Sequence, residues 1–364
     1  MPEQSLATFP PEFQQGMAAR AAELGDVGEN APEHWEKPLG SRDVHLVVVG
    51  LAPDAALLET AVRYARDAVR DLVPGVVPIW QQDVHSAADL RNTFGFADGI
   101  SHPAVEGTGI PGTNPYEVPL KAGEFVLGYE DEFNNLPPIP QPEVLGRNGT
   151  YVVLRKLHTR VAAFRQYLRQ RAKDRAEEEW LAAKIVGRWP SGAPLALAPD
   201  KDDPELGADP KRNNAFMFGD DPRGLKCPVG SHVRRMNPRD SVVIGAVRLH
   251  RMIRRGTNYG PPLPPGVLED DGADRGLIFA FVGAHLDRQF EFIQREWAND
   301  GKFIGAPAEK DPLVGSNEGR EFTIPKQPIR LHLKGLPAFV VNRGGEYCFM
   351  PGLRALRWLA DLDT

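Results

Sequence analysis

The sequence predicts an α+β fold, and three observations carry that prediction. Short β-branched or apolar runs alternate with amphipathic stretches. The runs stand close to turn signals, as antiparallel strands do. The 364 residues include 36 glycines and 34 prolines, spread along the chain. That bias exceeds ordinary abundance but falls short of low-complexity disorder, so it predicts a folded protein with long, stiff connections. The length suits two domains or one large one.

Residues 1–40, rich in Pro, Glu and Ala, read as an irregular arm. The first strand is expected at His45–Leu51 (HLVVVGL). Asp54 is placed to N-cap a helix over Ala55–Leu72, where Leu57, Leu58, Val62, Ala65 and Val69 recur at helical spacing. Further strands are expected at Gly75–Ile79 and, after a long loop, at Gly123–Tyr129 (GEFVLGY). The proline-dense run Asn134–Pro142 marks a boundary. It divides the chain into an arm (1–40), a first domain (41–142) and a second domain (143–364).

In the second domain a strand is expected at Thr150–Leu154 and a charged helical stretch from Val161 to Val186. The polar tract Pro190–Pro222 is long enough to predict a functional loop, and Tyr259–Gly272 is a second one. A strand at Gly276–Val282 and a helix at Leu286–Trp297 follow. Phe339–Asn342 and Tyr347–Met350 read as a hairpin, and RALRWLADLDT as a helix packed on the domain.

Lys and Arg number 43 against 49 Asp and Glu, a net charge of −6 that argues against a broad nucleic-acid surface. No apolar run approaches the roughly 18 residues that cross a bilayer, so no membrane partner is expected. The opening MPEQSLATFPPEFQQG has no basic n-region, apolar h-region or twin arginine, which predicts a cytoplasmic location. With Cys227 and Cys348 as the only cysteines, a disulfide-framed scaffold is excluded. A homo-oligomer is compatible with the sequence and not required by it.

Nine scattered histidines show neither HxxxH nor zinc-finger spacing, which argues against a metal site built from protein ligands alone. A macrocycle-bound iron stays open, because haem needs only one protein ligand. Gly107–Gly112 fits GxGxxG, but Pro111 and Pro115 would interrupt the helix that a dinucleotide fingerprint must open.

Three segments carry candidate chemistry. FGFADGI sets Asp98 among Phe94, Phe96 and Ile100, where desolvation would favour acid–base use; an Asp-Gly step is otherwise an ordinary turn. KCPVGSHVRRMNPR places His232 among Lys226, Arg234, Arg235 and Arg239. Neighbouring cations favour the neutral imidazole that binds metal, although such a loop could equally face an anion. RMIRRGTNYG alternates guanidinium groups with apolar residues, a pattern that solvated arginines also give.

Together and in this order the three segments resemble the dye-decolorizing haem peroxidases. Gly95–Gly99 matches that family's GxxDG motif, CPVGSHVRRMNPRD its proximal-histidine segment and RMIRRGTNYG its distal-arginine segment. The likeness runs from about residue 43 to 355, through GEFVLGY, RNGTYVVLRKL, AKIVGRWPSGAP, QFEFIQREWAND and NRGGEYCFMPG. It implies two ferredoxin-like domains, each an antiparallel sheet with helices packed on it, and haem b held mainly by the second.

By position, the resemblance makes His232 the axial iron ligand, with Asp98 and Arg254 on the distal side and Arg251 and Arg255 as the alternatives to Arg254. Arg234, Arg235 and Arg239 become candidates for the haem propionates. Glu291, or Asp287 in its place, is the expected acidic partner of the proximal imidazole. The implied reaction reduces H2O2 and oxidises dyes, phenols or other one-electron donors, with Trp180, Trp189, Tyr259 and Tyr347 as aromatic relays. The rival readings are a haem carrier, a haem-dechelating protein and a cofactor-free structural protein.

Overall fold

The structure, a computed structural model, describes residues 3–72, 75–86, 91–243, 245–316 and 319–362. Its centre is a four-stranded sheet in the second half of the chain. Strands β1 (Thr150–Thr159), β2 (Ile253–Tyr259), β3 (Gly276–Gly283) and β6 (Val340–Met350) lie in the order β2-β3-β1-β6, and all neighbours are antiparallel. Strands β4 (Arg320–Ile324) and β5 (Leu331–Leu336) pair separately. Helices Val161–Arg169 and Arg175–Val186 follow β1, and the helical segments Leu286–Glu291 and Ile293–Ala298 follow β3. That β-α-β-β-α-β succession is the ferredoxin-like one. The α+β class holds.

Period-two alternation divides one face of this sheet into a core and a cavity wall. Tyr151 and Val153 of β1 pack with Phe281, Phe290 and Tyr347. Farther along the same strand Arg155, Leu157 and Thr159 line a cavity.

The segment expected to be an irregular arm consists of short helices and 3-10 turns sealed onto this face. Phe9, Met17, Leu24 and Trp35 are buried in the same core. Arg155 pairs with Asp26, and Arg20 reaches Glu291 at 2.6 Å. Apolar residues at irregular spacing serve here as anchors, a pattern that periodicity does not detect.

Helix Ala55–Leu72 forms as expected, with the Leu57 N–H donating to Asp54 Oδ1 at 2.9 Å. The strands expected at His45–Leu51, Gly75–Ile79 and Gly123–Tyr129 do not form. The first two runs have no ladder partner among the described residues, and Leu46, Val48, Val49, Leu51 and Val77 are exposed. The third is a 3-10 turn at Ala122–Glu124 followed by further turns. β-propensity needs a pairing edge and a buried face, and these segments find neither.

The hairpin expected around Gly344 and Gly345 is instead one long strand, β6, running from Val340 to Met350. It pairs with β1 on either side of a bulge between Arg155 and Leu157, where Arg343 and Gly344 fall out of register. The long stretch 161–186 is two helices. Asp174 caps the second of them by accepting from the Glu177 N–H.

Candidate active site

His232 opens the short helix His232–Met236. Its Nδ1 lies 3.0 and 3.1 Å from the two carboxylate oxygens of Asp311, a fully buried residue. Asp311 Oδ1 also accepts from the backbone N–H groups of Leu313 and Val314, each at 2.9 Å. Burial by itself would push this carboxyl up. The His232 imidazole, the Arg235 guanidinium and the Val314 N–H outweigh it and hold Asp311 down at about 2. An ionised Asp311 fixes the ring proton on Nδ1. The lone pair then belongs to Nε2 of a ring that lines the cavity.

A glycine makes this placement possible. Helix Arg175–Val186 ends at Gly187 with φ +99°, and a Cβ there would stand 3.0 Å from Val233 Cβ and 3.1 Å from Ser231 Oγ. The chain can turn tightly against the His232 helix only because that atom is missing. Arg188, the next residue, lines the same cavity.

Asp98 reaches this cavity from the loop after Phe96. Phe96 is buried in a core with Phe164 and Phe339, and Phe94 packs beside it. Both phenylalanines also line the cavity, yet Asp98 itself is exposed instead of being desolvated as the sequence suggested. Its Oδ1 accepts from the Gly99 N–H at 2.7 Å.

Arg254 arrives from β2, and its Nη2 donates to the Ser101 carbonyl at 3.3 Å, tying the strand to the Asp98 loop. Burial lowers its pKa, and the Asp98 carboxylate opposes that shift. The two alternatives are held by other side chains, although Arg251 lines the same cavity. Arg251 pairs with Glu117 at 2.8 Å, and Arg255 donates to His102 Nε2 at 3.0 Å. Asp98 and Arg254 also border a second cavity beside the first, lined by His85, His102 and Arg255 among others. Burial, then Arg254 and Arg255, push His102 down to about 4, so it is neutral at neutral pH.

The main cavity is lined by five arginines (155, 188, 239, 251 and 254) against two carboxylates, Asp26 and Asp98. Leu277, Phe279, Phe290 and Ile293 give it apolar walls. Two buried donors on its lining residues have no partner, Arg155 Nε and Arg239 Nε. Apolar walls, a surplus of cations, unpartnered donors and one free imidazole nitrogen fit a flat, dianionic, metal-bearing group.

No family model matches the chain. Individual relatives do. It is 31% identical over 375 residues to a dye-decolorizing peroxidase of Mycetinis scorodonius, an alignment covering 95% of this chain and 71% of that protein. The chain belongs to the dye-decolorizing peroxidase family. It is a peroxidase, and members of this family are haem proteins. The solved structure of an ancestral D-type dye-decolorizing peroxidase superimposes with a TM-score of 0.83 at 30% identity, covering 96% of this chain and 80% of that one. A dye-decolorizing peroxidase in complex with 2,6-dimethoxyphenol gives 0.78 at 26% identity, covering 97% and 83%.

Against this family pattern, several side-chain expectations need correction. Glu291 is not the partner of His232. It receives Arg20 at 2.6 Å and the Tyr347 hydroxyl at 2.8 Å on the far side of the core, and Asp311 takes the place assigned to it and to Asp287. Arg234 turns away from the cavity to Asp221 and the Cys227 carbonyl, and Arg235 donates to the carbonyls of Gly230, Trp297 and Glu309. Both brace the His232 loop from behind. Arg239 alone of the three lines the cavity, held by the Phe216 carbonyl at 2.7 Å. Burial brings it down to about 10, so it is still charged at neutral pH.

Trp189, Tyr259 and Tyr347 are buried, and none offers a face to a bulky donor. Trp180 is partly exposed. Sequence reasoning missed Asp311, Arg155, Arg188 and His102 as parts of the site. Asp311 carried no signal beyond an Asp-Pro step in a loop, 79 residues from the histidine it orients.

Proposed function

We propose that the chain is a haem b peroxidase in which His232 is the axial ligand and Asp98 with Arg254 handle peroxide. The observation that carries this reading is the His232–Asp311 pair, which leaves Nε2 available on a cation-lined cavity that Asp98 and Arg254 also line. Bound haem supplies the redox centre at which peroxide is reduced and one-electron donors are oxidised. His232 would hold the iron, and Asp311 would make the imidazole a more basic ligand. Of the three propionate candidates only Arg239 lines the cavity, and Arg155, which also lines it, is already paired with Asp26.

Peroxide must lose a proton from one oxygen and gain one on the other, which leaves as water. Asp98 can take and return that proton at Oδ2, because Oδ1 is occupied by the Gly99 N–H. Arg254, whose guanidinium carries a positive charge beside Asp98, would stabilise negative charge building on the peroxide oxygen. The second cavity would bring small solutes to this pair from outside, past the neutral His102. Dyes and phenols are the expected donors.

The test is direct. Load the chain with haem, then add H2O2 and 2,6-dimethoxyphenol. Many phenol oxidations per haem, with the haem absorption band retained, are expected. Iron release with loss of the band would favour the dechelating reading, and a retained band without oxidation would favour a haem carrier. No helix of the described residues is long and apolar enough to cross a membrane.

A further inference from the structure

We propose a second metal site, built from Glu124, Asp131 and His285, that holds one first-row divalent cation. The three residues offer ligand atoms within 4.8 Å of one another. Glu124 closes the 3-10 turn Ala122–Glu124, Asp131 follows in the next loop, and His285 precedes the helical segment Leu286–Glu291. None of them lines the His232 cavity, so the proposal does not depend on the haem reading.

Each residue is held in place before any ion arrives. Glu124 Oε1 accepts from the Glu132 N–H at 3.0 Å and from Arg288 Nη2 at 2.6 Å. Asp131 Oδ1 accepts from the N–H groups of Phe133 and Asn135, and its Oδ2 faces Arg288 Nη1 at 3.1 Å. The His285 backbone N–H donates to Gln289 Oε1 at 3.1 Å, and the Gly123 backbone hydrogen-bonds the ring.

Two atoms are left over. Glu124 Oε2 and His285 Nε2 are both buried and both without a partner, and Glu124 has no exposed surface at all. With a ring N–H given to the Gly123 carbonyl, Nε2 presents a lone pair. A carboxylate oxygen and an imidazole lone pair are both acceptors, and native proteins rarely bury two acceptors together with nothing positive between them. Two carboxylates against the single Arg288 guanidinium leave the cluster net negative. One imidazole with two carboxylates suits Mn2+, Fe2+ or Zn2+ better than Ca2+, which takes six to eight oxygens. His285 is half-buried, which gives an ion a way in.

The rival occupant is a proton on the buried Glu124 Oε2. To decide, haem-loaded protein is stripped with EDTA and titrated with Mn2+, with free Mn2+ followed by EPR. We expect one equivalent bound per chain, displaced by Zn2+ and not by equimolar Mg2+, with a nitrogen coupling to the bound Mn2+ in pulsed EPR. His285→Gln should abolish that coupling and weaken binding at least tenfold, as should Glu124→Gln for affinity. The nitrogen coupling is read on the wild-type protein, so the result survives if a variant fails to fold. Absence of saturable Mn2+ or Zn2+ binding, bound Mn2+ without nitrogen coupling, or unchanged affinity in both variants would overturn the proposal.

Discussion

Asp98→Asn lowers peroxide turnover by roughly 10²–10⁴-fold while leaving haem uptake unchanged, the loss typical of removing a positioned acid–base group. The asparagine keeps the shape and can still accept the Gly99 N–H. What it cannot do is take a proton from one peroxide oxygen and deliver it to the other. Arg254→Leu removes the cation beside Asp98, and a loss of roughly 10²–10³-fold is expected, the usual scale for one charge-stabilising donor. Its tether to the Ser101 carbonyl is a single bond at 3.3 Å, so the loop should survive the change. Stopped-flow turnover with 2,6-dimethoxyphenol, normalised to haem content, reads both effects. Turnover equal to wild type in both variants would remove Asp98 and Arg254 from the chemistry.

The second large effect is expected at Asp311. Asp311→Asn replaces a buried, ionised acceptor with a neutral amide, and an outer partner of a metal-bound histidine typically governs affinity or activity by about 10–100-fold. The substitution also leaves a signature in acid. The native carboxyl sits at about 2, below its ordinary value of 3.8. The unfolded chain therefore binds the proton first, and folding stability falls as pH drops. The contribution of this group is fully present above about pH 4 and is lost as pH falls toward 2. A shift of that size corresponds to about 2 kcal/mol. Urea unfolding of the haem-free protein at several pH values between 5 and 2 should show a steeper loss for wild type than for Asp311→Asn. Parallel curves would mean that the pair does not stabilise the fold.

In the second domain β1, β3 and the two ends of β6 were legible from their apolar runs, whereas β2, with its adjacent arginines, and the β4–β5 pair were not. Thr150–Leu154 and Gly276–Val282 stand within β1 and β3, and the helix Val161–Arg169 after β1 shows helical periodicity. His45–Leu51 carried an equally good strand pattern and forms none, because the pattern records preference and not the presence of a partner strand. The glycine-rich stretch before Tyr347 suggested a turn. The structure uses the glycines where β6 passes close to the arm, with a Cβ on Gly344 only 2.6 Å from Leu39 Cβ.

The site was legible where short motifs name it. Asp98, His232 and Arg254 line one cavity although they lie far apart in the chain. The supporting groups were not legible. Arg234, Arg235 and Arg239 look alike in sequence, yet two brace a loop and one faces the cavity, a difference set by a backbone turn with φ +56° at Arg239. Glu291 was a reasonable acid on a reasonable helix, but that helix turns it toward Arg20 and Tyr347.

The most direct test is haem titration of His232→Gly with and without added imidazole, read by the absorption spectrum. Wild type should bind one haem per chain. The variant should bind weakly with an altered band, and free imidazole entering the space left by the side chain should restore the wild-type band. If His232→Gly instead binds haem with the wild-type spectrum and no imidazole, His232 is not the ligand and the site has been placed wrongly.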